Sequence, residues 1–245
     1  SGAGTLTLDN AGADAALTVI HGEHTVNLPL ALPAPLTVTP DAGTALTLAA
    51  PLSGSGGLNK QGNGVLKLTA DNSYAGGTHF SRGELWLSAG ASLGTGPITH
   101  ALPNGRLRSV GAEPVVITND LLIAASDAAL DADGPMIFSG RLDWATGQKV
   151  FQKFGHGTLI FTGQAEESGN YQINHRTATL RVAEGARIVI TNANARDTLY
   201  LSADTSVPRT LTVETGAVVV AGGIYTGSGP SNTVHVNGGS LTLTG

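Results

Sequence analysis

The chain has 245 residues, with 18 Asp and Glu against 13 Lys and Arg, a formal net charge of −5, and no cysteine. These totals exclude disulfides and thiolate metal sites, and they leave no basic patch for a nucleic-acid backbone. Hydrophobic residues make up 41%, aromatics only 4% and charged residues only 13%. A core of Leu, Val, Ile and Ala under a surface of Gly, Thr, Ser and Asn is therefore expected.

From the N-terminus onward the recurring unit is a short apolar alternation. It appears as Thr5-Leu6-Thr7-Leu8, Ala45-Leu46-Thr47-Leu48, Val65-Leu66-Lys67-Leu68 and Glu84-Leu85-Trp86-Leu87. Alternation of period two predicts strands with one buried face, and helical periodicity is absent. Gly- and Asn-rich clusters such as Ser53–Gly57, Asp71–Ser73 and Gly227–Pro230 lie between the strands and predict corners. Aligning Leu6, Val26, Leu46, Leu66, Leu85 and Leu107 gives steps of 20, 20, 20, 19 and 22 residues. Leu159, Leu180, Leu199, Val218 and Leu241 form a second series, and the phase between the two is not evident. A fixed period of this length is the signature of a solenoid. The expected fold is all-β: a single-stranded right-handed parallel β-helix of about 20 residues per coil. About twelve coils at roughly 4.8 Å would make a rod near 55 Å. A β-sandwich of hairpins is the competing fold. Ser240–Gly245 stops in mid-alternation, so the chain reads as one domain over 1–245, a fragment of a longer protein.

The most specific stretch begins at Gly56-Gly57-Leu58 and runs through Lys60, Gly62, Gly64 and Leu66. It continues with Asn72, Tyr74, Gly76, Gly77 and Thr78, and then Gly83 and Leu85. Ser92-Leu93-Gly94-Thr95-Gly96 extends it. A second, degraded copy holds Lys153, Gly155, Gly157 and Leu159, then Gly169-Asn170-Tyr171 and Leu180, without the Gly-Gly-Thr element. The two units span about 53–96 and 147–182. This pattern resembles the passenger-associated transport repeat of bacterial autotransporters. The resemblance implies a β-helical passenger at the cell surface or secreted, attached to the outer membrane only through a C-terminal β-barrel outside this chain. In that unit these residues are structural. Gly62 and Gly64 are expected to bracket a corner, Tyr74 to cover a coil edge with its hydroxyl wet, and Lys60 to lay its stem over a neighbouring coil.

Candidate chemistry is sparse. His21-Gly-Glu-His24 has the wrong order for a zinc helix, and on a strand the two rings would point to opposite faces. Asp127, Asp131, Asp133 and Asp143 contain part of a calcium loop but lack its closing Glu, so a solvated acidic turn in an insertion or loop is expected there. Carboxylates grouped on one face would be required of a polysaccharide-acting β-helix enzyme. No nucleophile elbow or phosphate loop occurs. Trp86, Trp144 and Tyr225 are candidate sugar-stacking platforms, with Trp86 expected to face outward, either for that purpose or to cover a loop.

The expectation is thus a non-enzymatic structural and adhesive passenger segment with no cofactor, no metal and no nucleic-acid partner. Its partners would be copies of itself or host and matrix molecules, met through rows of Thr, Ser and Asn, in adhesion, aggregation or biofilm. The alternatives are a β-helix polysaccharide-acting enzyme or tailspike-like glycan binder, and an inert stalk.

Overall fold

The computed structural model describes residues 4–124, 127–145, 149–167, 171–175, 178–184, 186–190, 198–201, 208–225 and 232–244. Among these there is no helix, and the strands pair in parallel with the equivalent strand of the next coil. A period-two pattern makes such pairing self-consistent, because every strand buries the same alternate positions as the one above it.

Each coil has three sides. A ten-stranded sheet runs the length of the solenoid, from Glu23–Val26 through Val65–Leu68, Gly83–Leu87, Gly105–Ser109, Asp127–Ala132 and Lys149–Phe154 to Gly223–Tyr225. A seven-stranded sheet, Ala15–Val19 to Leu142–Trp144, forms the second side. A bridge between Arg141 and Gln164 hands that side on to a four-stranded sheet. The third side has three short strands early and six strands later, Val115–Ile117 to Thr233–Asn237. There are about 9 turns of about 22 residues, fewer and longer than the expected twelve of twenty. At roughly 4.8 Å per coil the stack is about 43 Å long.

The interior of the ten-stranded sheet is a leucine ladder in which Leu46, Leu66, Leu85, Leu107 and Leu130 pair in succession. Leu66, Leu85 and Leu159 are fully buried. Two alignments differ from expectation. Leu6 pairs with Leu30 on the third side, and Val26 pairs with Leu48, while His24 stands opposite Leu46. In the second series only Leu159 and Leu180 share a ladder; Leu199 and Val218 lie on the other two sides. Every coil carries three short alternations, and equal spacing alone does not say which side an alternation belongs to. The missing phase between Leu107 and Leu159 has the same origin, since they sit on different sides. The Gly227–Pro230 turn, Gly169-Asn170 and Gly147 lie outside the described residues.

Leu66→Asp would place an unpaired charge between Leu46 and Leu85 and should lower stability by about 4 kcal/mol or more, read as a shift in the urea midpoint. Circular dichroism should show β-structure with almost no helix. A helical spectrum, or a Leu66→Asp protein that unfolds with the parent, would contradict the stack.

Candidate functional site

The best-defined constellation is the pair of coils between Leu58 and Leu87. Lys60 ends a strand of the seven-stranded sheet and points inward, in register with Val38 and Phe80. It is fully buried, so its stem lies inside the coil and not over a neighbour. Its ammonium has three donors and meets three carbonyls: Gln61 at 2.8 Å, Gly62 at 2.9 Å and Arg82, one coil on, at 2.9 Å. One cation thus closes two successive corners. Gly62 has φ +70°, and a Cβ there would overlap Pro40 O of the preceding coil. Gly64 is crowded in the same way by Asp41 O and Thr44 O. Gly83, at φ +66°, sits against Gly64 O and Gly62 O.

The Asn-x-Tyr-x-Gly-Gly-Thr segment replaces the third-side strand in this part of the stack. Asn72 Oδ1 accepts from Leu52 N at 2.8 Å, and its Nδ2 donates to Ala70 O and Ser92 O at 2.9 and 2.7 Å. One amide side chain therefore bridges three coils where no sheet ladder does. Tyr74 is fully buried and not wet at its hydroxyl. That hydroxyl lies 2.6 Å from Thr78 Oγ1, and the Thr78 hydroxyl donates to Leu93 O at 3.1 Å. Since threonine has one proton to give, Tyr74 is the donor to Thr78. Gly76 and Gly77 lie against Gly57 and Pro97 of the adjacent coils.

Lys153 repeats the corner device. It is fully buried, and its ammonium meets Gly155 O at 3.0 Å and Gly157 O at 2.6 Å. Gly155 has φ +82°. The amide of Gly157 donates to Ala132 O, as that of Gly64 donates to Pro40 O. The corner is nevertheless a different one. Lys60 closes the passage from the seven- to the ten-stranded sheet, whereas Lys153 closes the passage from the ten-stranded sheet to the third side, leading to Leu159. The Lys-x-Gly-x-Gly-x-Leu pattern specifies a corner, and the corner can be placed on either side of the coil.

Asp133 lies in a bend, as expected of an acidic turn, but Asp127, Asp131 and Asp143 lie in strands and not in an insertion. Asp127–Ala132 is a strand of the ten-stranded sheet, paired with Gly105–Ser109 and Lys149–Phe154. Asp131 meets Arg106 at 3.5 Å, Asp133 meets Arg108 at 2.9 Å and Asp143 meets Arg141 at 2.6 Å. The Arg108 hydrogen bond holds the Asp133 carboxyl below its usual range. Carboxylates already neutralised by guanidinium are poorly arranged for calcium, which needs several free oxygens. His24 contacts the main-chain oxygen of His21 at 2.9 Å, and His21 lies in a bend ahead of the strand, not in it.

Trp86 faces outward and is half-buried between Lys67 and Arg108 of the flanking coils, each cation 5.2 Å from its ring. Its faces are occupied, so it is no open sugar platform. Trp144 is buried in the core, which removes it from that role as well. Tyr225 remains exposed. Lys67, Glu84, Trp86, Arg106, Arg108, Asp131 and Asp133 thus form one charged strip along the outer ten-stranded face. Sequence reasoning missed this strip. Its signal was the alternate placement of Glu84 and Trp86, Arg106 and Arg108, Asp131 and Asp133, one coil apart. It also missed His100, buried in the interior row of Lys60 and bonded to Gly105 O at 2.8 Å.

Residues 58–87, from the strand that ends in Lys60 to the end of the strand holding Leu85, match the passenger-associated transport repeat. The chain carries a passenger-associated transport repeat. Over 99% of its length it is also 27% identical to the adhesin BmaC autotransporter of Brucella suis biovar 1 (strain 1330). It spans only 7% of that protein. No solved structure matches. The repeat and the autotransporter similarity together put the chain at the cell surface or among secreted proteins.

The buried lysines predict a pH dependence. Burial lowers the Lys60 ammonium to a pKa of about 8, with Glu84 opposing, and lowers Lys153 to about 8, with Asp131 opposing. An unfolded lysine titrates near 10.4. Between about pH 8 and 10 the unfolded chain holds more protons, so stability rises with pH in that window. Burial pushes the Tyr74 hydroxyl upward. Above about pH 10 the folded state therefore keeps a proton on Tyr74 that the unfolded state loses, and this contribution to stability falls. The urea-unfolding free energy should climb by about 3–4 kcal/mol from pH 7.5 to 9.5 and decline only above about pH 11, and Lys60→Met should remove about half of the climb. A flat profile that Lys60→Met leaves unchanged would contradict this.

Proposed function

We propose that this chain is a rod-like segment of an adhesive passenger that acts by side-to-side contact between copies. The observation that carries the proposal is a threonine row on the outer third side. Thr158, Thr179, Thr210 and Thr233 pair in succession in four consecutive strands, all partly exposed. Such a row repeats at the strand spacing, and a second rod carrying the same row can match it along its length. Each hydrogen bond adds about 0.5–1.5 kcal/mol net. A single pair of rods holds weakly, and many rods on facing cells hold firmly through multivalency. The similarity to an autotransporter adhesin over nearly the whole chain supports the same reading, in which aggregation and biofilm growth follow from homotypic contact and host or matrix molecules are second partners.

A non-catalytic role is supported by the passenger repeat and by the adhesin relative. It also fits the placement of Asp131, Asp133 and Asp143. Each is paired with an arginine, whereas glycoside hydrolysis needs two carboxyls flanking a groove.

The test is to display the full-length parent protein on non-aggregating bacteria and follow settling and attachment to matrix. Clumping is expected. Replacing Thr158 and Thr179 together by Lys should return settling to the rate of bare cells, whereas Asn59→Lys on the seven-stranded side should not. Cells that neither clump nor attach, or clumping indifferent to the threonine variant, would end this proposal.

A further inference from the structure

Three successive corners between the seven- and ten-stranded sheets differ in length. Four residues, 61–64, connect Lys60 to Val65, only Ser81 and Arg82 connect Phe80 to Gly83, and four residues, 101–104, connect His100 to Gly105. Coils stacked at the strand spacing cannot absorb that difference inside, so the flanking corners overhang and the short one becomes the floor of a notch. The notch has two adjoining clefts that share Arg82 and Leu102, of about 390 and 210 Å³. The larger falls within the roughly 300–1,000 Å³ of small-molecule sites.

The lining has a definite chemistry. Gln61 and Asn63 stand exposed on one wall, Leu102 and Asn104 on the other, and His79 opens onto the larger cleft. Neither cleft is lined by a carboxylate. Two other clefts differ, one containing Asp120 and another Glu184 and Glu214. Arg82 is exposed and has no ion pair among the described residues, unlike Arg106, Arg108, Arg141 and Arg181, each of which meets a carboxylate. Beneath the floor, the carbonyls of Gln61, Gly62 and Arg82 turn inward to the Lys60 ammonium. That withdraws three negative dipole ends from the notch and sets a second cation below it. Asn104 keeps its backbone at φ +74°, which presents the far wall in a set conformation.

We infer that this notch is a binding site for an acidic saccharide, with Arg82 taking its carboxylate or sulfate and the amides of Gln61, Asn63 and Asn104 reading its hydroxyls. A guanidinium with free donors suits a planar or tetrahedral oxyanion. Side-chain amides both give and accept hydrogen bonds, as a ring bearing several hydroxyls requires. Leu102, 43% exposed, offers a patch for the apolar face of the sugar. The inference rests on the adhesive reading above and adds a ligand class on a different side of the rod from the threonine row.

The test is a titration of the intact chain with labelled hexasaccharides of heparin and of galacturonate, a neutral glucan hexamer, and hexaglutamate. At least one acidic saccharide should bind. The neutral glucan and hexaglutamate should each bind at least tenfold more weakly. Arg82→Gln should weaken the acidic saccharide at least tenfold with an unchanged melting temperature, and Asn63→Ala should weaken it severalfold. Preference between the two acids identifies sulfate or carboxylate as the anchor. Absence of acidic-saccharide binding at millimolar concentration, or equal binding by Arg82→Gln, would overturn the inference. Hexaglutamate binding as tightly through Arg82 would overturn it in favour of an acidic peptide. The settling assay separates the two proposals. Displayed Arg82→Gln cells should still clump while losing the saccharide, and the Thr158 and Thr179 variant should do the reverse.

Discussion

Everything in this molecule follows from coils stacked at the distance of a β-ladder. Along the strands that distance is set by backbone hydrogen bonds and is undemanding, because side chains point away from the neighbour. At the corners it is severe, because the chain turns while its neighbour one coil away turns at the same place. The amides of Gly64 and Gly157 donate to the coil beneath, to Pro40 O and Ala132 O, and a Cβ on either glycine would overlap a carbonyl of that coil. A corner built this way also aims carbonyl groups inward, where no strand partner is available. Buried carbonyls left unpaired cost about 1–3 kcal/mol each. The lysine two residues before the first corner glycine answers that constraint, since an ammonium offers three donors on a flexible stem. Close approach therefore requires the glycines, the glycine corner requires internal donors, and the donors require a charge inside an otherwise aliphatic core.

That charge explains why the same four-part pattern appears at two unlike places. Were Lys60, Gly62, Gly64 and Leu66 a signature of a whole coil, Lys153, Gly155, Gly157 and Leu159 would lie on the same side of the rod, and they do not. The residues match because the local problem matches: a strand ends, turns with one positive-φ glycine, passes a crowded glycine, and resumes with an inward leucine. The remainder of the transport repeat, Asn72 to Thr78, solves a separate problem. It crosses a side of the coil without a ladder and pins its backbone by side-chain bonds to coils above and below.

This division separates what was legible in the sequence from what was not. The solenoid, the inward leucines Leu66, Leu85 and Leu159, and the corner glycines could be read directly, because period two and glycine spacing are local signals. Register was harder. Leu6 and Val26 fall on the twenty-residue step, yet one belongs to the third side and the other is two residues out of line. Nothing local marks an alternation with its side, and the true step varies as corners lengthen. Tyr74 and Lys60 were misjudged for a related reason. Both are amphipathic, and surface placement is the ordinary expectation for such residues. Only the stacked neighbours show that Thr78 and three carbonyls are waiting inside. The charged strip from Lys67 to Asp133 was invisible until the coils were aligned, because its partners lie about one coil apart and never adjacent in sequence.

A stack of this kind also separates stability from surface function more fully than a globular fold does. Inward positions are constrained by the ladder above and below, whereas each outward position answers only to its own row. The three sides have accordingly diverged: ion pairs and a clasped Trp86 on the ten-stranded side, a threonine row on the third side, and mixed residues such as Thr37, Asn59, His79 and Thr99 on the seven-stranded side. Corners are the remaining freedom, because a corner can lengthen outward without disturbing the strands it joins. The step from a four-residue to a two-residue corner and back costs the interior nothing: Lys60, Phe80 and His100 remain in one buried row. It does change the exterior from a smooth edge into a notch. Alternation of corner length is one means of making a concave surface on such a stack, and the side chains at such a step are where ligand chemistry in this fold can be sought first.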